Sequence, residues 1–134
     1  MLLYEQETYH IIGAAMKVHS ELGPGFTEKV YQEALAIEFS ERGIPFAREK
    51  EIHAIYKGNV LEGTFIPDFI CYDKIIVEIK AVKEIDDVHR SHAINYAKIA
   101  GFCLSLLINF GESSLAKERF PIRQQSVKSV KSVV

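Results

Sequence analysis

Cysteine is scarce: Cys71 and Cys103 are the only two in 134 residues, and each sits inside an apolar run. Two thiols so placed exclude a disulfide scaffold and a cysteine-rich zinc or iron–sulfur site, and read as small buried hydrophobes. An excess of one charge is missing too. Sixteen Lys and Arg against eighteen Asp and Glu leave a net charge of -2, which excludes a histone-like polycation but not a local basic rim. No apolar stretch is long enough to span a bilayer, so no membrane contact is expected. The opening Met1-Leu2-Leu3-Tyr4-Glu5 lacks the basic flank and long apolar stretch of a secretory signal, and a cytoplasmic location is expected. No glycine-rich run ends in Gly-Lys-Ser or Gly-Lys-Thr, which excludes a Walker-type phosphate loop.

What is present fits one globular domain. The chain is 48% hydrophobic and 25% charged, and at this length a domain buries roughly two-thirds of its unfolded surface. Spacings of three and four at Ile12, Ala15, Met16 and His19 predict a first helix over residues 5–19. After Gly23-Pro24-Gly25, Thr27 is placed to cap a second helix that Gly43 stops. Val30, Ala34 and Ile37 form its expected core stripe, with Glu28, Tyr31 and Leu35 on the adjacent one. Alternation over residues 46–56, a turn at Lys57-Gly58-Asn59 and a returning strand over residues 60–71 predict a hairpin. Asp73-Lys74 turns the chain into residues 75–82, apolar on both faces as a covered central strand should be. A helix capped by Asp86 or Asp87 and ending at Gly101 leads to an apolar strand over residues 102–110, a βαβ crossover that makes the two strands parallel. An edge strand with Pro121 is read over residues 119–123. Residues 1–124 are thus expected to form one domain, and residues 125–134 a flexible polar tail.

The central strand carries the chemical anomaly. Glu78 and Lys80, two apart, share one face, and charges inside a buried strand are costly unless paired or holding a metal. Asp68 and Glu78 lie five residues either side of position 73, so antiparallel pairing across that turn sets two carboxylates nearly opposite one another. A divalent cation between them removes the repulsion, and an oxygen-only donor set suits Mg²⁺ or Mn²⁺. His89, His92 and Tyr96 share a face of the third helix, and without a further Cys or Asp at fitting spacing the histidines make no zinc set. Lys80, Lys83, Arg90 and Lys98, with Lys117, Arg119 and Arg123, are the basic residues available for a phosphate-facing rim.

Gly25-Phe26-Thr27-Glu28-Lys29-Val30-Tyr31 matches a GxxExxY signature. With Pro67-Asp68, Glu78-Ile79-Lys80-Ala81-Val82 and Leu107-Ile108-Asn109-Phe110-Gly111 downstream, the chain from Ile12 through Phe110 resembles the GxxExxY protein family, a branch of the PD-(D/E)XK nuclease-like superfamily. The resemblance implies an α/β fold, a mixed central β-sheet flanked by helices in a restriction-endonuclease-like core. It assigns Asp68 and Glu78 as metal ligands, with the Ile79 main-chain carbonyl and Glu28 completing the environment of Mg²⁺ or Mn²⁺. Lys80 would orient the attacking water and face the charge on the phosphate. Tyr31, His92 and Tyr96 stand as auxiliaries, His92 where many relatives carry glutamine. Ile66 takes the place of a basic residue found before the Asp in a number of relatives. The implied function is metal-dependent phosphodiester hydrolysis of nucleic acid, DNA ahead of RNA; the small size of the domain beside a long duplex adds the expectation of a homodimer. The alternative is a catalytically silent nucleic-acid-binding or assembly protein on the same fold.

Overall fold

A computed structural model describes residues 2–124 of the chain. The expected tail at residues 125–134 lies outside the described residues. Two helices come first, α1 (Glu5–Leu22) and α2 (Glu28–Glu41). Five strands follow: β1 (Phe46–Arg48), β2 (Ile52–Tyr56), β3 (Asn59–Phe65), β4 (Phe69–Cys71) and β5 (Ile75–Lys80). Then come α3 (Asp87–Ala100), β6 (Leu104–Asn109) and β7 (Ala116–Pro121). The main sheet runs β1-β4-β5-β6-β7, and β2 pairs with β3 in a separate ribbon. Only the β5–β6 pair is parallel, so the sheet is mixed, and α3 makes the crossover between them. This is the α/β architecture, a mixed sheet flanked by helices, that the resemblance implies. None of the described helices is long and apolar enough to cross a membrane.

The two faces of β5 bury different partners. Ile75, Val77 and Ile79 join the core formed with Ile11, Ala14, Ala15 and Val18 of α1 and Tyr31, Leu35 and Phe39 of α2. Ile76 packs on the opposite face against Ala97 and Ala100 of α3 and Ile52 of the ribbon. A strand covered on both faces needs apolar residues at successive positions, which is why β5 shows no alternation until Glu78.

Two stretches read as continuous strands are broken. Residues 46–56 divide into β1 and β2 at a corner where Glu49 has φ 53°. Residues 60–71 divide into β3 and β4 at Ile66-Pro67-Asp68, where Pro67 offers no N–H to a ladder and restricts the residue before it. The ribbon turn falls where expected, a two-residue loop at Lys57 (φ 50°) and Gly58 (φ 77°), the doubly left-handed geometry that matches strand twist. The α2 stripe is also displaced. Val30 is 38% and Ile37 60% exposed, while Tyr31, Gln32, Leu35 and Phe39 are buried. Apolar residues lie all round α2, so their spacing alone could not select the inward face. In α1 the buried residues are Thr8, Ile11, Ala14, Ala15, Val18 and His19, and Met16 faces outward.

The far end of β5 is clamped to the end of β6. The Phe110 N–H donates to the Lys80 carbonyl (2.8 Å). Asn109, fully buried, accepts from the Val82 N–H (3.0 Å) and donates to the Val82 carbonyl (2.9 Å). A Cβ on Gly111 would lie 2.2 Å from the Val82 carbonyl oxygen and 2.4 Å from its nitrogen, so only glycine fits there. We predict that Gly111→Ala costs about 3 kcal/mol, the upper range for overpacking, read as a lowered urea midpoint. An unchanged midpoint would show that the segment after β5 can yield.

Candidate metal and phosphate site

The site is built where β5 leaves the sheet. The β4–β5 hairpin pairs Phe69 with Val77 and Cys71 with Ile75, across a tight loop in which Tyr72 and Asp73 have φ 56° and 57°. One step beyond the last pair, the same register brings Asp68 beside Glu78. Glu78 and Lys80 share a face, as alternation requires, and both line a pocket of about 190 Å³. Its other walls are Glu28 at the start of α2, Ile66 and Asp68 ahead of β4, and His89, His92 and Tyr96 on α3. Glu28, Asp68, Glu78, Lys80, His92 and Tyr96, all singled out from the sequence, thus meet in one cavity.

The two acids are held differently. Asp68 Oδ2 accepts from the Ile79 N–H and Oδ1 from Gln32 Nε2, both at 2.9 Å. Glu78 is 7% exposed, and its Oε1 has no hydrogen-bond partner among the described residues. Burial, followed by the neighbouring Asp68 carboxylate, pushes the Glu78 carboxyl up to about 10, while Lys80 pulls weakly the other way. Among the described residues no three His, Cys, Asp or Glu side chains converge as a metal-binding group. Asp68 and Glu78 therefore stand as a pair, with Glu28 exposed on the pocket wall.

Tyr31 lies outside the pocket. It is fully buried, stacks on Phe110 with centroids 4.7 Å apart, and its hydroxyl donates to the Gly23 carbonyl and accepts from the Phe26 N–H. Its role is to fix the loop that starts α2, and so the place of Glu28, rather than to touch the acids. His89 forms a reciprocal cap: its N–H donates to Asp86 Oδ1 (2.9 Å), and its Nδ1 accepts from the Asp86 N–H (3.1 Å). His92 stacks on Tyr96 (6.0 Å, 5°), and Tyr96 on Phe65 of the ribbon (4.8 Å, 29°). The basic rim is narrower than the residue list implied. Arg90 is gripped by Glu118 (2.8 and 3.1 Å) and Asp87 (2.8 Å), and Arg119 donates to the Leu3 carbonyl (2.6 Å). Lys80 enters no ion pair among the described residues. Larger hollows lie elsewhere, among them one of about 410 Å³ between α1 and β7 and one of about 250 Å³ beside Lys50 and Cys103.

The position of Glu78 has a pH signature. Its folded-state pKa lies above the ordinary 4.5, so the folded protein retains a proton that the unfolded chain releases. Stability from this group is complete below the unfolded value and is lost as pH rises toward the folded one. In chelator, the urea midpoint of the wild type is expected to fall across roughly pH 6 to 9, and Glu78→Gln to flatten that slope. Equal slopes would show that Glu78 ionises freely.

No curated protein and no solved structure matches the chain. A model of the PD-(D/E)XK nuclease superfamily matches residues 5–122, nearly all of the described fold. With a mixed sheet, an acid ahead of β4 and a Glu-x-Lys pair ending β5, the chain belongs to the PD-(D/E)XK nuclease superfamily.

Proposed function

We propose that the protein is a metal-dependent phosphodiester hydrolase acting on nucleic acid, with DNA preferred to RNA by likeness to its superfamily. The observation that carries this reading is Glu78, a buried carboxylate with one oxygen left without a partner beside a second carboxylate. Such an arrangement is costly in an empty strand and is relieved by a cation. The donor set fits Mg²⁺ or Mn²⁺: Asp68, Glu78 and the Ile79 carbonyl offer hard oxygen atoms, and these ions keep several waters. When bound, the ion would supply Lewis acidity toward the phosphoryl group and a lowered pKa for water.

The chain's own residues do the rest. Asp68 and Glu78 would hold the ion, and Glu28, on the pocket wall, would accept from water entering the pocket. Lys80, two residues past Glu78 on the same face, sets its ammonium toward the phosphate and stabilises charge growing on its oxygens. His92 and Tyr96 line the side from which a phosphate would enter and have donors for its oxygens. A second reading, a nucleic-acid-binding or assembly protein without turnover, is favoured by the convergence of no more than two acids among the described residues and by the internal engagement of Arg90 and Arg119.

Nicking of a supercoiled plasmid in Mg²⁺, Mn²⁺ and chelator separates the two readings, with single-stranded DNA and RNA assayed alongside. Cleavage is expected only with metal, and Glu78→Ala and Lys80→Ala are each expected to lose about 100-fold or more. Folded wild-type protein that turns over none of these polymers at high concentration would sink the hydrolase reading in favour of the silent one.

A further inference from the structure

Gln32 is the polar residue that the helical pattern of α2 does not account for. It is 4% exposed, one turn beyond Glu28, on a face otherwise filled by Tyr31, Leu35 and Phe39. Both ends of its amide are engaged. Arg48 Nε donates to Gln32 Oε1 at 2.9 Å, and Gln32 Nε2 donates to Asp68 Oδ1 at 2.9 Å. A guanidinium has only donors, so Arg48 must face the amide oxygen, and this turns the NH₂ toward Asp68. The next residue completes the hold, because the Glu49 N–H donates to the Asp68 main-chain carbonyl at 3.0 Å. The corner between β1 and β2 therefore grips Asp68 twice, through its backbone and through Gln32. Asp68 sits in the break between β3 and β4, beyond the last ladder pair with β5, so these contacts join the Ile79 N–H of β5 in orienting it.

We propose that Gln32 and Arg48 are positioning residues for the metal site, acting in series: Arg48 orients Gln32, and Gln32 fixes the Asp68 carboxylate against Glu78. This rests on the metal-dependent reading above and adds to it two residues that touch neither ion nor substrate. Groups behind a metal ligand typically contribute 10- to 100-fold to affinity. The buried, doubly bonded Gln32 amide on Oδ1 and the Ile79 N–H on Oδ2 together hold the Asp68 carboxylate in one orientation. Residues acting in series have a further property: once Gln32 is gone, Arg48 has nothing left to transmit.

The test is Mn²⁺ binding to the full chain, followed by electron paramagnetic resonance, with thermal midpoints measured on the same samples. The set is wild type, Asp68→Asn, Gln32→Met, Arg48→Ala, Arg48→Lys and the Gln32→Met/Arg48→Ala double variant. Asp68→Asn should abolish binding, and Gln32→Met, which keeps volume but removes both hydrogen bonds, should weaken it about tenfold. Arg48→Ala should weaken it several-fold, Arg48→Lys should recover part of that, and the double variant should bind like Gln32→Met alone. A merely structural role would lower the midpoints and leave this non-additivity absent. If the wild type binds Mn²⁺ through Asp68 but folded Gln32→Met binds equally well, or the two losses multiply, the series is overturned and the metal site stands. Should Gln32→Met not fold, Arg48→Ala decides, and unchanged affinity there overturns the inference. A wild type that binds no Mn²⁺ removes the metal reading and the series with it.

Discussion

The register of the β4–β5 hairpin is the constraint on which the site depends. Side chains alternate with period two, so a slip of one residue would send Glu78 and Lys80 into the α1–α2 core and bring Ile79 to the pocket. The register is locked from both faces. Phe69, Ile75, Val77 and Ile79 are buried with the first two helices, and Ile70 and Ile76 with α3 and the ribbon. Little of this burial concerns the acids themselves. The apolar positions fix the strand, and the strand delivers the carboxylates to its end as a geometric consequence. The β6 clamp completes the delivery by holding the Lys80 carbonyl and the Val82 backbone.

Two carboxylates brought together in this way must divide their solvation. Asp68 takes the available donors, one from a main-chain N–H and one from Gln32. Glu78 receives burial and a like-charged neighbour, which favour its neutral form. The asymmetry comes from placement. Asp68 lies in a break in the chain, reachable by side chains from α2 and β1, whereas Glu78 is enclosed within β5. Lys80 is closer to solvent and offsets the rise in Glu78 only in part.

The legible part of the site was the local part. Symmetry about position 73 and alternation along β5 were enough to bring Asp68, Glu78 and Lys80 together, because a short hairpin allows few registers. The βαβ crossover was equally plain, since α3 has a cap at Asp86 and a left-handed glycine at its end. Glu28 reached the pocket although the buried face of α2 was misassigned, because the stripe it shares with Tyr31 and Leu35 is the one that turns inward. Gln32 and Arg48 were missed. They lie 16 residues apart on different elements, and nothing in local spacing marks a glutamine whose two ends are both bonded inside the fold. The one usable signal was a polar residue between Tyr31 and Leu35 on that stripe. Likewise, Arg90 was read as open to phosphate because its partner Glu118 lies 28 residues downstream on the edge strand.

The division of the strands at Ile66-Pro67-Asp68 bears on how the chain tolerates changes in length. The ribbon shares no ladder with the main sheet, packing on it through Ile52 and on α3, and its tip at Lys57-Gly58 is exposed. Residues added at that tip lengthen a surface arm and leave every pairing in the main sheet in place. One residue added between Phe69 and Val77 shifts Asp68 past Glu78 and inverts the faces of whichever strand absorbs it. Two neighbouring hairpins thus differ in kind: the first is free to vary in reach, while the second is a ruler whose length is set by the distance between two acids.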